Sequence, residues 1–338
     1  MSPEAVAPSI VLSLNGVEAN AEAARLAEAA GFESVWATEF YDRSATVTLA
    51  AMAQATSRVE LGSAIAYAFG RTPLVLAAEA RDLDELSGGR LTLGLGTGTR
   101  RMQRDWHGLD GEHPASRMEE LVPLLRRLLR LHEGPLQHEG RFYTVRVKPT
   151  APVAPPLRED LPIYMAGVNA RMVEAAGAVG DGLVGHPLFT PEYTREVVRP
   201  ALERGAERAG RERPVPIAGY VTCAVDADGE QARRDAAAII AFNSTVKTYE
   251  AIHRLHGWEA HVEAIREAWR GGDFGGMMEA VTREMVAAIA IAGTPEEARE
   301  QLAARAGLYE RILLWPPAFR GIDGARAVIE ALGPDGSG

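Results

Sequence analysis

The chain has 338 residues, 46% hydrophobic, 24% charged and 6% aromatic, with a formal net charge of -10. That length suits two domains of roughly 150 residues or one α/β barrel, and the composition is that of a globular chain with a sizeable core, which excludes disorder, a collagen-like repeat and a disulfide scaffold. The 46 acidic against 36 basic residues argue against nucleic acid or an anionic membrane as the main partner. Cys223 is the one cysteine, Met1-Ser2-Pro3-Glu4 carries no secretory pattern, and the longest apolar run, Val286–Ala292, is too short to span a bilayer, so a cytoplasmic protein without a membrane partner is expected.

Short β-branched or apolar runs alternate with longer helical stretches. Ser9–Leu14 reads as a strand and Glu18–Ala30 as a helix closed by Gly31; Glu33–Ala37 is a second strand and Ala45–Ala55 a helix. Val59–Ala66 is a third strand before helix Pro73–Leu86, and Arg90–Leu95 a fourth before the long helix Arg117–Leu131. Strand Pro162–Ala166, helix Ala170–Val179, strand Gly182–Val184, helix Pro191–Ala209 and strand Pro216–Val225 follow, with an eighth strand at Ile312–Trp315 and a final helix near Ala325–Leu332. Eight such units imply a (β/α)8 TIM barrel rather than a doubly wound sheet. Leu131–Pro156 is expected to be an excursion. Residues 230–290 are too long for one crossover and read as a helical insertion between strands seven and eight, before a helix start with Thr294 as N-cap and Pro295 in the first turn. A single domain over 1–338 is expected, with a disordered tail at 333–338.

Active sites of such barrels lie at the C-terminal ends of the strands, which directs attention to Thr38–Tyr41, Ala64–Phe69, Gly96–Thr99, Gly167–Asn169 and Gly185–Pro187. The run Gly94-Leu95-Gly96-Thr97-Gly98-Thr99 invites a dinucleotide-binding reading, but Thr99 stands where a third Gly or Ala is needed. The remaining readings are a strand end that lets a ligand approach the backbone, or a purely structural turn. His107, His113, Asp110 and Glu112 have no spacing that would make them a metal site, and no nucleophile elbow is present.

The run from Leu83 to Gly96, Leu-Asp-Glu-Leu-Ser-Gly-Gly-Arg-Leu-Thr-Leu-Gly-Leu-Gly, resembles the signature of bacterial luciferase-like flavin oxidoreductases, and Ala29–Trp36, Thr56–Gly62, Glu139–Tyr143, Gly180–Gly182 and Gly293–Glu297 fit in register. Within that family the chain is most similar to the coenzyme F420-dependent branch. The resemblance implies a flavin or deazaflavin at the strands' C-terminal ends, with a bulge in the third strand and a non-prolyl cis peptide at Ala64–Ile65 behind the ring. It implies cofactor contacts from Glu39, Phe40, Ala64, Ile65, Gly96, Thr97, Gly98 and Thr99, and phosphate contacts from Gly167, Val168 and Asn169 and from Gly185, His186, Pro187 and Leu188. Arg71, Arg100 and Arg101 either hold acidic groups of the cofactor or are simply solvated.

Two positions depart from the family pattern. Phe40 stands where many members have a histidine, and Thr99 stands where the sugar-phosphate dehydrogenases have an acid. Glu39, Tyr41 and His107 remain as acid–base candidates. Glu39 either serves the ring or caps the next segment, and His107, read as a loop residue, either meets substrate or is merely exposed. Three functions are open: an F420-dependent oxidoreductase reducing a C=C or C=N bond of a small molecule, an FMN-dependent monooxygenase, and a non-catalytic flavin-binding protein. A homodimer is expected.

Overall fold

The computed structural model describes residues 8–334; Met1-Ser2-Pro3-Glu4 and residues 335–338 of the expected tail lie outside the described residues. The strands are β1 (Ser9–Leu12), β2 (Ser34–Ala37), β3 (Glu60–Ser63), β4 (Ala66–Tyr67), β5 (Leu91–Gly96), β6 (Leu136–Glu139), β7 (Thr144–Val147), β8 (Ile163–Ala166), β9 (Gly182–Val184), β10 (Ile217–Val225), β11 (Ile291–Gly293) and β12 (Arg311–Trp315). Eight of them, β1, β2, β3, β5, β8, β9, β10 and β12, alternate with helices as the strands of a (β/α)8 barrel fold. Contacts gather into two compact units: the described part of Met1–Val35 with Gly185–Pro200 and the described part of Pro216–Gly338, and Trp36–Val184 with Ala201–Val215.

In the first unit the strand order is β11-β10-β12-β1, all parallel where paired. All nine residues of β10 are buried, as a strand covered on both faces requires. Its first part pairs with β12, from Ala218↔Arg311 to Thr222↔Trp315, and its last three residues pair with β11. Helices Gly229–Ser244, Glu250–Leu255, Glu259–Arg270, Phe274–Glu279 and Arg283–Ile289 occupy the chain between β10 and β11. The three-residue β11 was not expected, because Val286–Ala292 is one apolar run whose helical and strand parts periodicity cannot separate. Thr294 caps helix Pro295–Ala303 in a reciprocal box with Glu297, as the Thr-Pro-Glu-Glu run implies.

The second unit holds β3, β4, β5, β8 and β9 in parallel register. Helices Ala45–Ala55 and Ala170–Val179 have the bounds expected from sequence. Three expectations need correction and a fourth gains detail. The third strand is not continuous but divides into β3 and β4. A helix at Arg100–His107, N-capped by Thr99, replaces the expected loop. The excursion contains the antiparallel hairpin β6–β7. Helix Pro191–Ala209 resolves into a short turn, a π segment at Thr194–Val198 and helix Arg199–Arg208; Pro200, without an N–H, cannot complete the regular ladder there.

The Ser-Gly-Gly-Arg run before β5 has a clear physical role. The Arg90 guanidinium donates to the carbonyls of Ala53, Thr56, Val59 and Ser87 and to the Thr56 hydroxyl, at 2.6–3.1 Å. It thereby closes the end of helix Ala45–Ala55 onto the start of β5. Replacing Arg90 by methionine leaves several of these partly buried acceptors unpaired, and equilibrium urea unfolding should show a loss of about 2–4 kcal/mol.

Candidate functional site

In the second unit the chain leaves β2 through Thr38, Glu39, Phe40 and Tyr41. The Glu39 side chain is 8% exposed, and both its oxygens are engaged. Arg71 donates Nη1 to Oε2 at 2.8 Å and Nη2 to Oε1 at 2.6 Å, and the Tyr67 N–H donates to Oε2 at 2.6 Å. Arg71 also pairs with Glu79 at 2.7 Å through Nε, and its bond to Glu39 raises its pKa further above the usual guanidinium range. A two-pronged pair of this kind is directional as well as strong. It commits the Glu39 carboxylate to holding the distant 67–71 loop, and not to the cap on the next segment considered from sequence.

Between β3 and β4 the Ala64–Ile65 peptide is cis. From Gly62↔Thr92 to Ala66↔Leu95 this strand uses one residue more than its partner β5, so the expected bulge is present. Ala64 N donates to Ala37 O at 2.8 Å and Glu39 N to Ile65 O at 3.0 Å, pinning the bulge to the end of β2. The Ser63 hydroxyl donates to Gly94 O and accepts from Gly94 N, at 2.7 and 2.9 Å, replacing regular ladder bonds. A Cβ on Gly94 would lie 1.8 Å from Ser63 O, and one on Gly96 would lie 2.7 Å from Ile65 Cγ1. The Gly-Leu-Gly motif is therefore the clearance that the bulge needs against β5.

Beyond the bulge, aromatic rings gather. Phe40 lies 4.4 Å from Tyr41 and 5.0 Å, edge-on, from Trp106; Tyr41 lies 5.4 Å from Trp106 and Tyr67 5.1 Å from His107. Tyr41 is 73% exposed and Trp106 40%. Large apolar rings held open to solvent in a polar rim mark a surface for a ligand. Trp106 and His107 come from helix Arg100–His107, which sequence reasoning missed; its signals were the Thr99 N-cap, the i,i+4 spacing of Met102 and Trp106 and the Gly108 left-handed C-cap. His107 is thus helical, correcting the loop assignment, and its Nε2 is buried without a hydrogen-bond partner. Thr97 accepts from the Gln103 side chain through its carbonyl, and Gly98 is exposed.

Gly167 and Val168 lead from β8 to Asn169, the N-cap of helix Ala170–Val179, whose side chain makes no capping bond. A Cβ on Gly167 would sit 3.1 Å from Val173 N, so only hydrogen occupies the space over this first turn. The three arginines considered from sequence are all paired: Arg71 as described, Arg100 with Glu112 at 2.9 Å and Arg101 with Asp105 at 3.1 Å.

The Gly185–Leu188 stretch belongs to the first unit. Gly185 N donates to Ala218 O, and His186 Nδ1 accepts from Leu188 N at 3.2 Å. The His186 ring lies 3.9 Å from that of Tyr249, and burial pushes its pKa down to about 3. Pro187 and Leu188 are buried.

With this geometry established, comparison with known proteins is decisive on one point. A family model described as luciferase-like monooxygenase matches residues 2–310. The chain belongs to that family. It is 35% identical to an uncharacterized protein of Mycobacterium tuberculosis over 305 residues, covering 87% of this chain and 88% of the relative. It is 30% identical to a 5,10-methylenetetrahydromethanopterin reductase of Methanolobus tindarius, covering 82% and 84%. The solved coenzyme F420-dependent tetrahydromethanopterin reductase of Methanopyrus kandleri superposes with a TM-score of 0.84 at 27% identity over 98% of both chains. As a member of this family, the chain has relatives that are oxidoreductases, and its bulged third strand carries the cis bond that the resemblance implied.

Two outcomes test this description. Arg71→Met strands the Glu39 carboxylate in a site where it is almost fully covered, and denaturant unfolding should show a loss of about 3–5 kcal/mol; Arg71→Lys keeps the charge but not the two-pronged geometry and should lose less. His186 binds a proton in the unfolded chain near its ordinary value of 6.5 but in the fold only near 3. Its contribution to stability is therefore present above pH 6.5 and lost as pH falls from there toward 3. Unfolding midpoints at pH 7 and pH 5 should differ less in His186→Gln than in the wild type.

Proposed function

We propose that the protein is a coenzyme F420-dependent oxidoreductase that transfers hydride between the deazaflavin and a small organic substrate, as a C=C or C=N reductase. The observation that carries this reading is similarity over 82% of the chain to a 5,10-methylenetetrahydromethanopterin reductase, together with the structural match along 98% of the chain to a coenzyme F420-dependent tetrahydromethanopterin reductase. The residues present fit such a cofactor. Next to the bulge, Phe40, Tyr41 and Trp106 offer an aromatic wall for a flat ring. The first turn of helix Ala170–Val179 presents N–H groups that can hold a phosphate without needing a basic side chain, Arg171 being paired with Glu119. Bound there, the deazaflavin supplies the hydride.

The chain's own residues bind, orient and shield. Glu39 and Arg71 hold the loops that carry Phe40 and Tyr67, while the aromatic wall keeps water from one side of the ring. Both Glu39 oxygens are engaged by Arg71 and the Tyr67 N–H, which leaves solvent, the exposed Tyr41 hydroxyl and the unpartnered His107 Nε2 as proton sources. The family's own description favours a second reading, an FMN-dependent monooxygenase; the absence of the usual histidine at Phe40 and acid at Thr99 favours a third, cofactor binding without turnover. The acidic charge and buried Cys223 suit a cytoplasmic enzyme.

Titration with F420 and, separately, with FMN, followed by tryptophan fluorescence, distinguishes the first two. F420 should quench the wild type, with a smaller response in Trp106→Phe; tight FMN binding with no F420 response overturns the proposal. Glu39→Gln removes one charge of the pair and should weaken F420 binding severalfold through the loosened 67–71 loop.

A further inference from the structure

The helical segment between β10 and β11 contains polar groups that the reading above does not use. Arg266, on helix Glu259–Arg270, donates Nη1 to Glu250 Oε1 at 3.1 Å. Its Nε and Nη2 are buried and have no hydrogen-bond partner. Nε–H and the adjacent Nη2–H form the side-on edge of a guanidinium, the edge that grips a carboxylate or phosphate through two parallel bonds. His253 stands one helical turn beyond Glu250 on the same face of helix Glu250–Leu255. It is 1% exposed, and neither ring nitrogen has a partner. The surroundings are firm: Trp258 N donates to His253 O at 3.0 Å, and the His256 ring stacks on Trp258 at 4.2 Å with its Nε2 2.8 Å from the Thr190 hydroxyl.

Buried polar groups are almost always hydrogen-bonded, and an unpaired buried cation is costly. Here five such nitrogen positions would otherwise be expected to find partners, yet four on two adjacent side chains have none. They are donors in the majority: three N–H bonds from Arg266 and one from a neutral His253, with one acceptor. We infer that Arg266 and His253 form a binding site for an oxyanion, a carboxylate or phosphate group of a small ligand. Glu250 takes only Nη1, so the side-on edge is left for the ligand. The Arg266 side chain as a whole is 12% exposed, while the edge itself is buried. Burial and the nearby Arg266 charge lower the His253 pKa to about 4, so the imidazole is neutral at pH 7 and an arriving anion meets one fixed positive charge and one neutral donor. The oxyanion belongs to a small ligand that carries a carboxylate or phosphate.

Inorganic phosphate isolates this site from the hydride-transfer reading, since its binding requires no deazaflavin. Calorimetric titration of phosphate into the full chain, at constant ionic strength and against a chloride control, should show saturable binding. Arg266→Lys, which keeps the charge but lacks the side-on edge, and Arg266→Met should each weaken it at least about tenfold. No saturable binding to the wild type, or undiminished binding to Arg266→Lys, overturns the inference. If the arginine variants fail to fold, the histidine ring resonances of the wild type decide: phosphate should shift a buried ring, identified by its loss in His253→Gln, and no shift of any buried ring overturns it.

Discussion

The Glu39 carboxylate faces a constraint on which much of the candidate site depends. It is nearly covered, so it is tolerable only while both oxygens are paired, and Arg71 and the Tyr67 N–H do this. Those bonds join the end of β2 to the segment that follows the bulge. The same joint sets where Phe40 leaves the backbone and where the Tyr67 ring meets His107. A side chain that looked from sequence like an acid for chemistry is, in the fold, the fastening between two loops that carry the aromatic wall.

The second organising feature is the clearance beside the bulge. An extra residue in the third strand pushes the Ser63 carbonyl and the Ile65 side chain toward β5, and only glycine at 94 and 96 leaves room for them. Ser63 then repairs the disturbed ladder with its hydroxyl. The Gly-Leu-Gly-Thr-Gly run therefore has a reason unrelated to the glycine fingerprint of dinucleotide folds. Its first two glycines serve strand packing, and Thr99 closes it by starting the helix that presents Trp106 and His107.

Charge is distributed differently from what the composition suggests. An acidic chain that binds an anion would be expected to reserve arginines for it, yet Arg71, Arg100 and Arg101 are each spent on an internal or surface carboxylate. Under the proposed function, anion recognition falls to backbone N–H groups, as at the start of helix Ala170–Val179, and under the further inference to the unused edge of Arg266. Both act at short range, where the net charge of the whole molecule matters less than the few donors in contact.

Much of the architecture was legible without coordinates, because it rests on local signals. The period of the apolar residues marked strands and helices, two helices to the residue, and Thr294-Pro295-Glu296-Glu297 announced its capped helix through chemistry confined to one turn. The motif around Arg90 and the Ala64–Ile65 bond were likewise readable, through resemblance. Helix Arg100–His107 was not, since it is short and mostly polar, with only Met102 and Trp106 on its apolar side, and β11 was hidden inside a longer apolar run. Nor could sequence say that Glu39 pairs with Arg71, 32 positions away, or that Arg266 keeps one edge unpaired while Glu250 takes another group. Capping and periodicity are written in neighbouring residues; the partner of a charge is chosen only when distant segments pack, and tertiary structure alone decides it.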